Sequence, residues 1–461
     1  METNSWFHKY FGSKKFYQKV LMISVPIALQ QLLNSAMGIV DSIMVSQIGQ
    51  VTAVGSASQI EALMITICFG AATGAGIHVA QFFGAADEKN MKRSFGLGLI
   101  LCFLMALFWT MIGLLFGRQI IGFFIRDKEV IEQSWKYLQL SVWSYIPGAL
   151  AMMFSFGYRG IQKTIVPMMI GIVAMATNVT INYVLIFGQF GFPELGVQGA
   201  AIGTVISQFL AVFMHILYAH SSKQAFYGKI NEMFQIPKEL YRTIMKKTMP
   251  FIINECFFAI GGSLYIRAFG QLGTRTMDSY YVSNQIANVF FFVVTGISNA
   301  CSSVLGASLG KGDMEQAKKD GNYFIGMALV LASVSSVVMI VSARGLVSLF
   351  GLQDPFVFET AVALLKAFSL RFALRMFNAI IFSSLRAGGD AKFLTLLDSG
   401  VMWAVGIPMS FLLVNGFQMT DIALVFLIIQ LEQIVRFIIG IKRYVNGYWL
   451  KNLTVTVSGG K

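Results

Sequence analysis

"SQIEALMITICFGAATGAGIHVAQFFGAADEKNMKR" occupies residues 58–93, and "NQIANVFFFVVTGISNACSSVLGASLGKGDMEQAKK" occupies 284–319. At a shift of 226 the two match at Gln59 and Gln285, Ile60 and Ile286, Gly70 and Gly296, Gly84 and Gly310, Asp87 and Asp313, and Lys92 and Lys318. Each is an apolar run closed by a small residue and a polar turn. A shift of 224 lays "SVPIALQQ" (24–31) on "TMPFIINE" (248–255), so Pro26 meets Pro250. A shift of 227 brings Arg159 onto Arg386. The chain is a duplication, and the repeated element is a greasy helix.

Working outward, the same texture fills the chain. It is 56% hydrophobic and 12% charged, about half the charge of an ordinary soluble domain. Mean hydropathy is +0.67. Apolar runs lie at 17–45, 52–83, 94–116, 133–158, 164–188, 197–219, 243–270, 277–309, 322–349, 357–385, 392–414 and 420–445. Each is long enough to cross a hydrocarbon core of about 30 Å as a helix. The expectation is an all-α integral membrane protein of twelve helices in two six-helix lobes. The lobes are residues 1–222 and 242–461, joined by a linker at 223–241. Six is even, so the repeats run parallel, an arrangement met in transporters.

Basic residues set the orientation. Twenty-four of the 35 Lys and Arg fall on the N-terminal side of the membrane and seven on the other, so both termini are expected in the cytoplasm. The net charge of +13 is this topology signal rather than a nucleic-acid surface, because it is spread over every inner loop. Residues 1–19 are polar, with no signal-cleavage pattern, so the first run is expected to remain as a helix. Cys68, Cys102, Cys256 and Cys301 lie inside apolar runs and read as packing residues. There is no HExxH, and the four histidines do not cluster. The GxSxG match at Gly306–Gly310 lacks the strand–turn–helix setting of a nucleophile and reads as helix packing. No enzyme and no cofactor is expected.

The acids inside the runs carry the chemistry. A charge at mid-membrane costs about 3 kcal/mol and usually marks an ion path. Asp41 stands with no basic neighbour in "NSAMGIVDSIMVSQIG" (34–49), on a stripe with Gln30 and Asn34 at helical spacing. Pro26, one turn before the stripe, and its mate Pro250 are candidate hinges. Asn178 and Asn182 share a face of the fifth run, and Thr204 lies among small residues of the sixth. A carboxylate, two amide oxygens and a hydroxyl suit a hard cation, either Na+ or, on the carboxylate, H+. The competing readings are an acid reaching out to water and plain interhelical hydrogen bonding. In the second half Glu255 follows Pro250, and an ion pair with Arg371 or Arg375 competes with a place in a binding cavity. Asn284, Asn288, Thr295 and Asn299 form another polar stripe. Glu61, Asp398 and Glu432 are further intramembrane acids, and Arg436 lies one turn from Glu432.

The segments "DSIMVSQIGQVTAVGSAS" (41–58), "GVQGAAIGTVISQ" (196–208) and "LRAGGDAKF" (385–393) resemble the multidrug and toxic compound extrusion transporters. The resemblance implies twelve helices in two lobes forming a V around a central cavity. It implies export driven by inward H+ or Na+, with Asp41, Asn178, Asn182 and Thr204 at a cation site of the N-terminal lobe. One branch has an acid where this chain has Asn182, which leaves Asp41 as the charged ligand. Another branch uses a Glu at the place of Glu255 with an Asp on the tenth helix. Here Arg371, Arg375 and Asn378 stand there instead. Asn34, Glu255, Asn284 and Asn288 are the expected substrate contacts. The 41 Phe and 25 Met supply adaptable apolar walls suited to lipophilic cations. The expected partners are small organic molecules, Na+ or H+, and the bilayer of a bacterial inner membrane, with the chain a monomer. The rival readings are a lipid-linked precursor flippase, which would need a basic cavity, and a non-transporting receptor or scaffold.

Overall fold

The computed structural model describes residues 8–48, 50–124 and 128–455. Gly49 of the quoted motif, and Arg126 and Lys461 of the charge count, lie outside them. Among the described residues every regular element is helical. The first repeat comprises α1 (Lys14–Ser46), α2 (Val51–Gly84), α3 (Glu88–Phe124), α4 (Lys128–Gly160), α5 (Ile165–Ile186) and α6 (Val197–Ser221). The second comprises α7 (Lys238–Gly270), α8 (Thr274–Gly310), α9 (Met314–Ser348), α10 (Pro355–Ala387), α11 (Ala391–Gly416) and α12 (Ile422–Val445).

Eleven of these are both long and apolar enough to cross a membrane. The exception is α10, with 33 residues but with Arg371 and Arg375 at its centre. Several helices outrun their apolar runs. α3 starts at Glu88 and α9 at Met314, because a helix continues into polar sequence once its apolar part is anchored. Three stretches of α11, Leu396–Gly400, Met402–Gly406 and Leu412–Gly416, are π-helical, a rare geometry that is frequent at functional sites.

The chain divides into two compact units, and the division is not that of the repeat. One unit is Leu29–Ile252, here the N-terminal unit; the other is Met1–Ala28 with Ile253–Lys461, the C-terminal unit. α1 and α7 are therefore each shared between the units. They divide two residues beyond Pro26 and Pro250 respectively. Matched glycines explain the exchange. In the N-terminal unit Gly70 of α2 lies so close to α7 that a Cβ would stand 2.9 Å from Ile252 Cα. In the C-terminal unit its repeat mate Gly296 lies against α1, and a Cβ would stand 2.6 Å from Ser24 O. Small residues let helices approach this closely in membranes.

Within the N-terminal unit α2 packs on α3 and α4, and α5 on α6. The linker is docked there rather than hanging free. Phe226 is fully buried, with its ring 4.6 Å from Phe95 and 5.0 Å from Tyr158. In the C-terminal unit α10 packs on α8, α9 and α12. The segment after α12 folds back in the same manner as the linker. Trp449 is buried, its ring stacked 5.3 Å from Tyr444, and Asn452 donates to Gly310 O at 3.2 Å. The four cysteines are free thiols. Ser308 of the GxSxG match sits inside α8 and donates to Asp320 at 3.4 Å.

Candidate functional site

The N-terminal unit brings Asp41, Asn178, Asn182 and Thr204 together. Asn178 and Asn182, one turn apart on α5, are fully buried, and Thr204 of α6 is nearly so. Asn182 Nδ2 donates to Asp41 Oδ1 at 2.7 Å and lies 3.3 Å from Asn178 Oδ1. Asn178 Nδ2 lies 3.4 Å from Thr204 Oγ1. Amide orientation follows from hydrogen-bond partners. Turned over, Asn178 itself donates to Asp41 at 2.9 Å and accepts from Thr204 N at 3.3 Å. Gly203 makes room for this arrangement, since a Cβ there would land on Asn182 Oδ1. That oxygen is buried with no protein donor. Among the described residues no Lys, Arg or His forms an ion pair with Asp41. The donor set is all oxygen, it includes one orphaned buried acceptor, and it carries a half-buried carboxylate. That chemistry fits a hard monovalent cation.

Tyr137 goes beyond the sequence reading, and so does the placement of Glu61, expected only as a further intramembrane acid. Tyr137 of α4, buried, lies beside Ser58 and Thr204. Glu61, one turn on from Ser58 along α2, is within electrostatic reach of Asp41. Asp41 is thus the carboxylate held by the amides, with a second acid nearby. Ser58 and Glu61 at i, i+3 were a legible signal. Tyr137 had none, being one aromatic in an amphipathic stretch.

The remaining members of the α1 stripe separate. Gln30 accepts from Arg159 at 3.0 Å and lies 3.4 Å from Ser155 Oγ, both on α4. Asn34 is exposed. The stripe therefore does not act as one polar face, because α4 takes its first residue.

The C-terminal unit holds a different construction. Arg436 of α12 is 1% exposed and meets Asp398 of α11 at 2.9 Å and Glu432 at 2.8 Å. Glu432 also accepts from Tyr265 of α7, and Gln433 from Asn378 at 3.1 Å. Asn254 donates to Asp398 at 3.3 Å and accepts from Ser399 at 2.7 Å. The expected Glu432–Arg436 pair is present, but as one side of a network drawing on four helices, α7, α10, α11 and α12, rather than a local helix pair. A correction concerns Glu255. It forms no ion pair with Arg371 or Arg375. Its strongest electrostatic partner is Arg386, the repeat mate of Arg159, at the end of α10. Asn284 is half-buried and Asn288 exposed, while Asn299 and Thr295 bond back to α8 itself.

Known proteins fit this picture. A profile of the MatE family matches residues 26–184 and 250–412, beginning in each repeat at the proline that marks the unit boundary. The uncharacterized transporter YisQ of Bacillus subtilis is 27% identical over 436 residues, covering 92% of this chain and 93% of that protein. The probable multidrug resistance protein YoeA of Bacillus subtilis is 25% identical over 402 residues, covering 86% and 87%. Among solved structures, an outward-facing multidrug resistance MATE family transporter superposes with a TM-score of 0.85 at 16% identity, over 96% of this chain and 99% of that one. The Vibrio cholerae MATE transporter VcmN in the bent form gives 0.83 at 15% identity, over 96% and 98%. The chain belongs to the MatE family, the multidrug and toxic compound extrusion transporters that its motifs at 41–58, 196–208 and 385–393 resemble.

Proposed function

We propose that the chain is a secondary active antiporter that exports amphipathic organic compounds, cationic ones among them, against inward flow of Na+ or H+. The observation that carries this reading is Asp41, an intramembrane carboxylate held by Asn182 at 2.7 Å and left without a basic partner among the described residues. A fixed Arg or Lys there would fill the site permanently and abolish exchange. The coupling ion is cargo: it binds the oxygens of Asp41, Asn178, Asn182 and Thr204 and leaves again. The names of the relatives support export of drug-like compounds.

The two repeats, 1–222 and 242–461 with the linker 223–241, serve as the transport halves. Pro26 and Pro250 act as hinges, a reading supported by the unit boundaries two residues beyond each. Asn34, Glu255, Asn284 and Asn288 are the proposed substrate contacts. The chain acts as a monomer in the bacterial inner membrane with both termini cytoplasmic. Cysteine labelling of residue 225 from inside and residue 190 from outside tests the topology, and the reverse pattern overturns it. A flippase is a second reading, favoured by the two arginines of α10.

The test of coupling is substrate efflux from vesicles under separately imposed Na+ and H+ gradients. Asp41→Asn keeps the shape and most hydrogen bonds and removes the charge. It should leave a folded protein that no longer exports uphill under either gradient. Asn178→Ala and Thr204→Ala should weaken coupling less, each removing one neutral oxygen. Uphill export at the normal rate by Asp41→Asn would end the proposal.

A further inference from the structure

α10 carries Arg371 and Arg375 one turn apart, on one face. Arg371 is 16 residues from either end of the helix, about 24 Å at 1.5 Å per residue. The centre of so long a helix is not one of the end positions from which arginine snorkels to the interface. A charge so placed normally pairs or marks function. Among the described residues neither guanidinium forms an ion pair or a hydrogen bond with protein.

What surrounds them is aromatic. Arg371 lies over Phe426 at 5.5 Å, Phe368 at 5.7 Å and Phe291 at 6.0 Å, and Arg375 over Phe258 at 5.8 Å. These rings come from α7, α8, α10 and α12, all within the C-terminal unit. Ring faces attract the flat face of a guanidinium. They leave its edge, a planar fork of N–H donors, unused. Arg371 Nε is buried without any acceptor. Of the neighbouring acids, Asp398 and Glu432 pair with Arg436 and Glu255 acts first on Arg386; all three also reach Arg375 electrostatically, but among the described residues none forms an ion pair with it or with Arg371. Both arginines remain half-buried rather than sealed.

A planar fork wants a planar or tetrahedral oxyanion, and an aromatic wall wants an apolar body. We infer that Arg371 and Arg375 form the anion-binding end of a site inside the C-terminal unit, which takes the carboxylate or phosphate of an amphipathic organic molecule. The inference does not depend on which ion drives transport. It extends the proposed cargo from cations to molecules that carry an acidic group, zwitterions included.

The test is binding by the purified full chain in phosphatidylcholine nanodiscs, read by fluorescence anisotropy. The probes are 1-pyrenebutyrate and its neutral counterpart 1-pyrenebutanol, which differ only in the anionic end. The acid should bind at least about tenfold more tightly than the alcohol, the scale of one charge-assisted hydrogen bond. Arg371→Gln and Arg375→Gln should each cut that preference several-fold, and the double variant should abolish it. If the double variant does not fold, the single variants decide. An acid bound no better than the alcohol overturns the inference, as does a preference that survives in both folded single variants. Adding phosphatidylglycerol to the nanodiscs separates two sources of the same chemistry. Displacement of pyrenebutyrate identifies a lipid headgroup as occupant, and undisturbed binding identifies a free organic anion. Either upholds the site.

Discussion

The N-terminal unit keeps one acid, Asp41, among amides and hydroxyls. The C-terminal unit gives two acids, Asp398 and Glu432, to one guanidinium. Both constructions are buried polar clusters inside helical bundles, yet they differ in what completes them. Arg436 completes the second from within the chain. On the reading proposed above, the first is completed by the coupling ion. A buried ion pair adds little net stability, but removing one partner strands a charge and costs about 3–5 kcal/mol. An acid held by neutral ligands has no such partner to lose. If the proposed ion site is right, the difference separates a structural use of intramembrane charge from an exchangeable one.

The largest expected effect breaks the C-terminal cluster. Arg436→Met leaves Asp398 and Glu432 buried without a counter-charge. It should lose about 3–5 kcal/mol and much of the folded protein, seen as a collapsed size-exclusion profile and a lowered thermal midpoint. Asp41→Asn should melt within about 1 kcal/mol of the parent, since an amide is no costlier to bury than the acid. Equal melting of the two variants would erase the contrast.

Next in size come two glycines that each press on one cluster. A Cβ at Gly406 would land on Glu432 and Tyr265, and one at Gly203 on Asn182. Each alanine must turn a side chain off its partners, at an overpacking cost of about 1–3 kcal/mol. Gly406→Ala should show this as lowered thermal stability. Gly203→Ala should show it mainly as lost ion-coupled efflux, because the displaced amide is the one that holds Asp41. Normal coupling in Gly203→Ala would mean that the Asn182–Asp41 contact is dispensable.

The sequence made the helices legible because apolar runs of membrane length are a local property. It made α10 hardest to score by hydropathy, since Arg371 and Arg375 dilute its centre. Asp41, Asn178, Asn182 and Thr204 were legible through intramembrane polarity and i, i+4 spacing. Tyr137 and Asn254 were not, because their roles depend on which helices meet. The Asp398–Arg436 pair joins residues on different helices, with no period connecting them. The shared first helices were hidden in the same way. Gly70 and Gly296 matched in the repeat, but nothing in a one-dimensional match says that each would receive the first helix of the other repeat.

The smallest effects belong to two exposed pairs, one in each unit. Lys92 meets Glu232 at 3.0 Å, and Arg275 Nε meets Asp354 at 2.6 Å. Each acid is held below its ordinary range, first by the hydrogen bond from its basic partner. A depressed carboxyl contributes its full stabilisation above its ordinary value, about 4, and loses it as the pH falls through the depressed one. Glu232→Gln and Asp354→Asn should therefore differ from the parent only slightly at pH 7 and converge with it in acid. The two sites differ in one respect. Asp354 is the N-cap of α10 and accepts from Phe356 N at 2.9 Å, while Glu232 only reaches back from the first turn of the short helix Ile230–Phe234 to the backbone N–H of Lys229. Asparagine caps a helix about as well as aspartate, and alanine does not. Asp354→Ala should therefore melt below Asp354→Asn at every pH, whereas Glu232→Ala should fall less far below Glu232→Gln, since only the contact to Lys229 N at a five-residue helix is lost. If Asp354→Ala and Asp354→Asn melt together, the ion pair and not the cap is what Asp354 contributes to the start of the helix that carries both unpaired arginines.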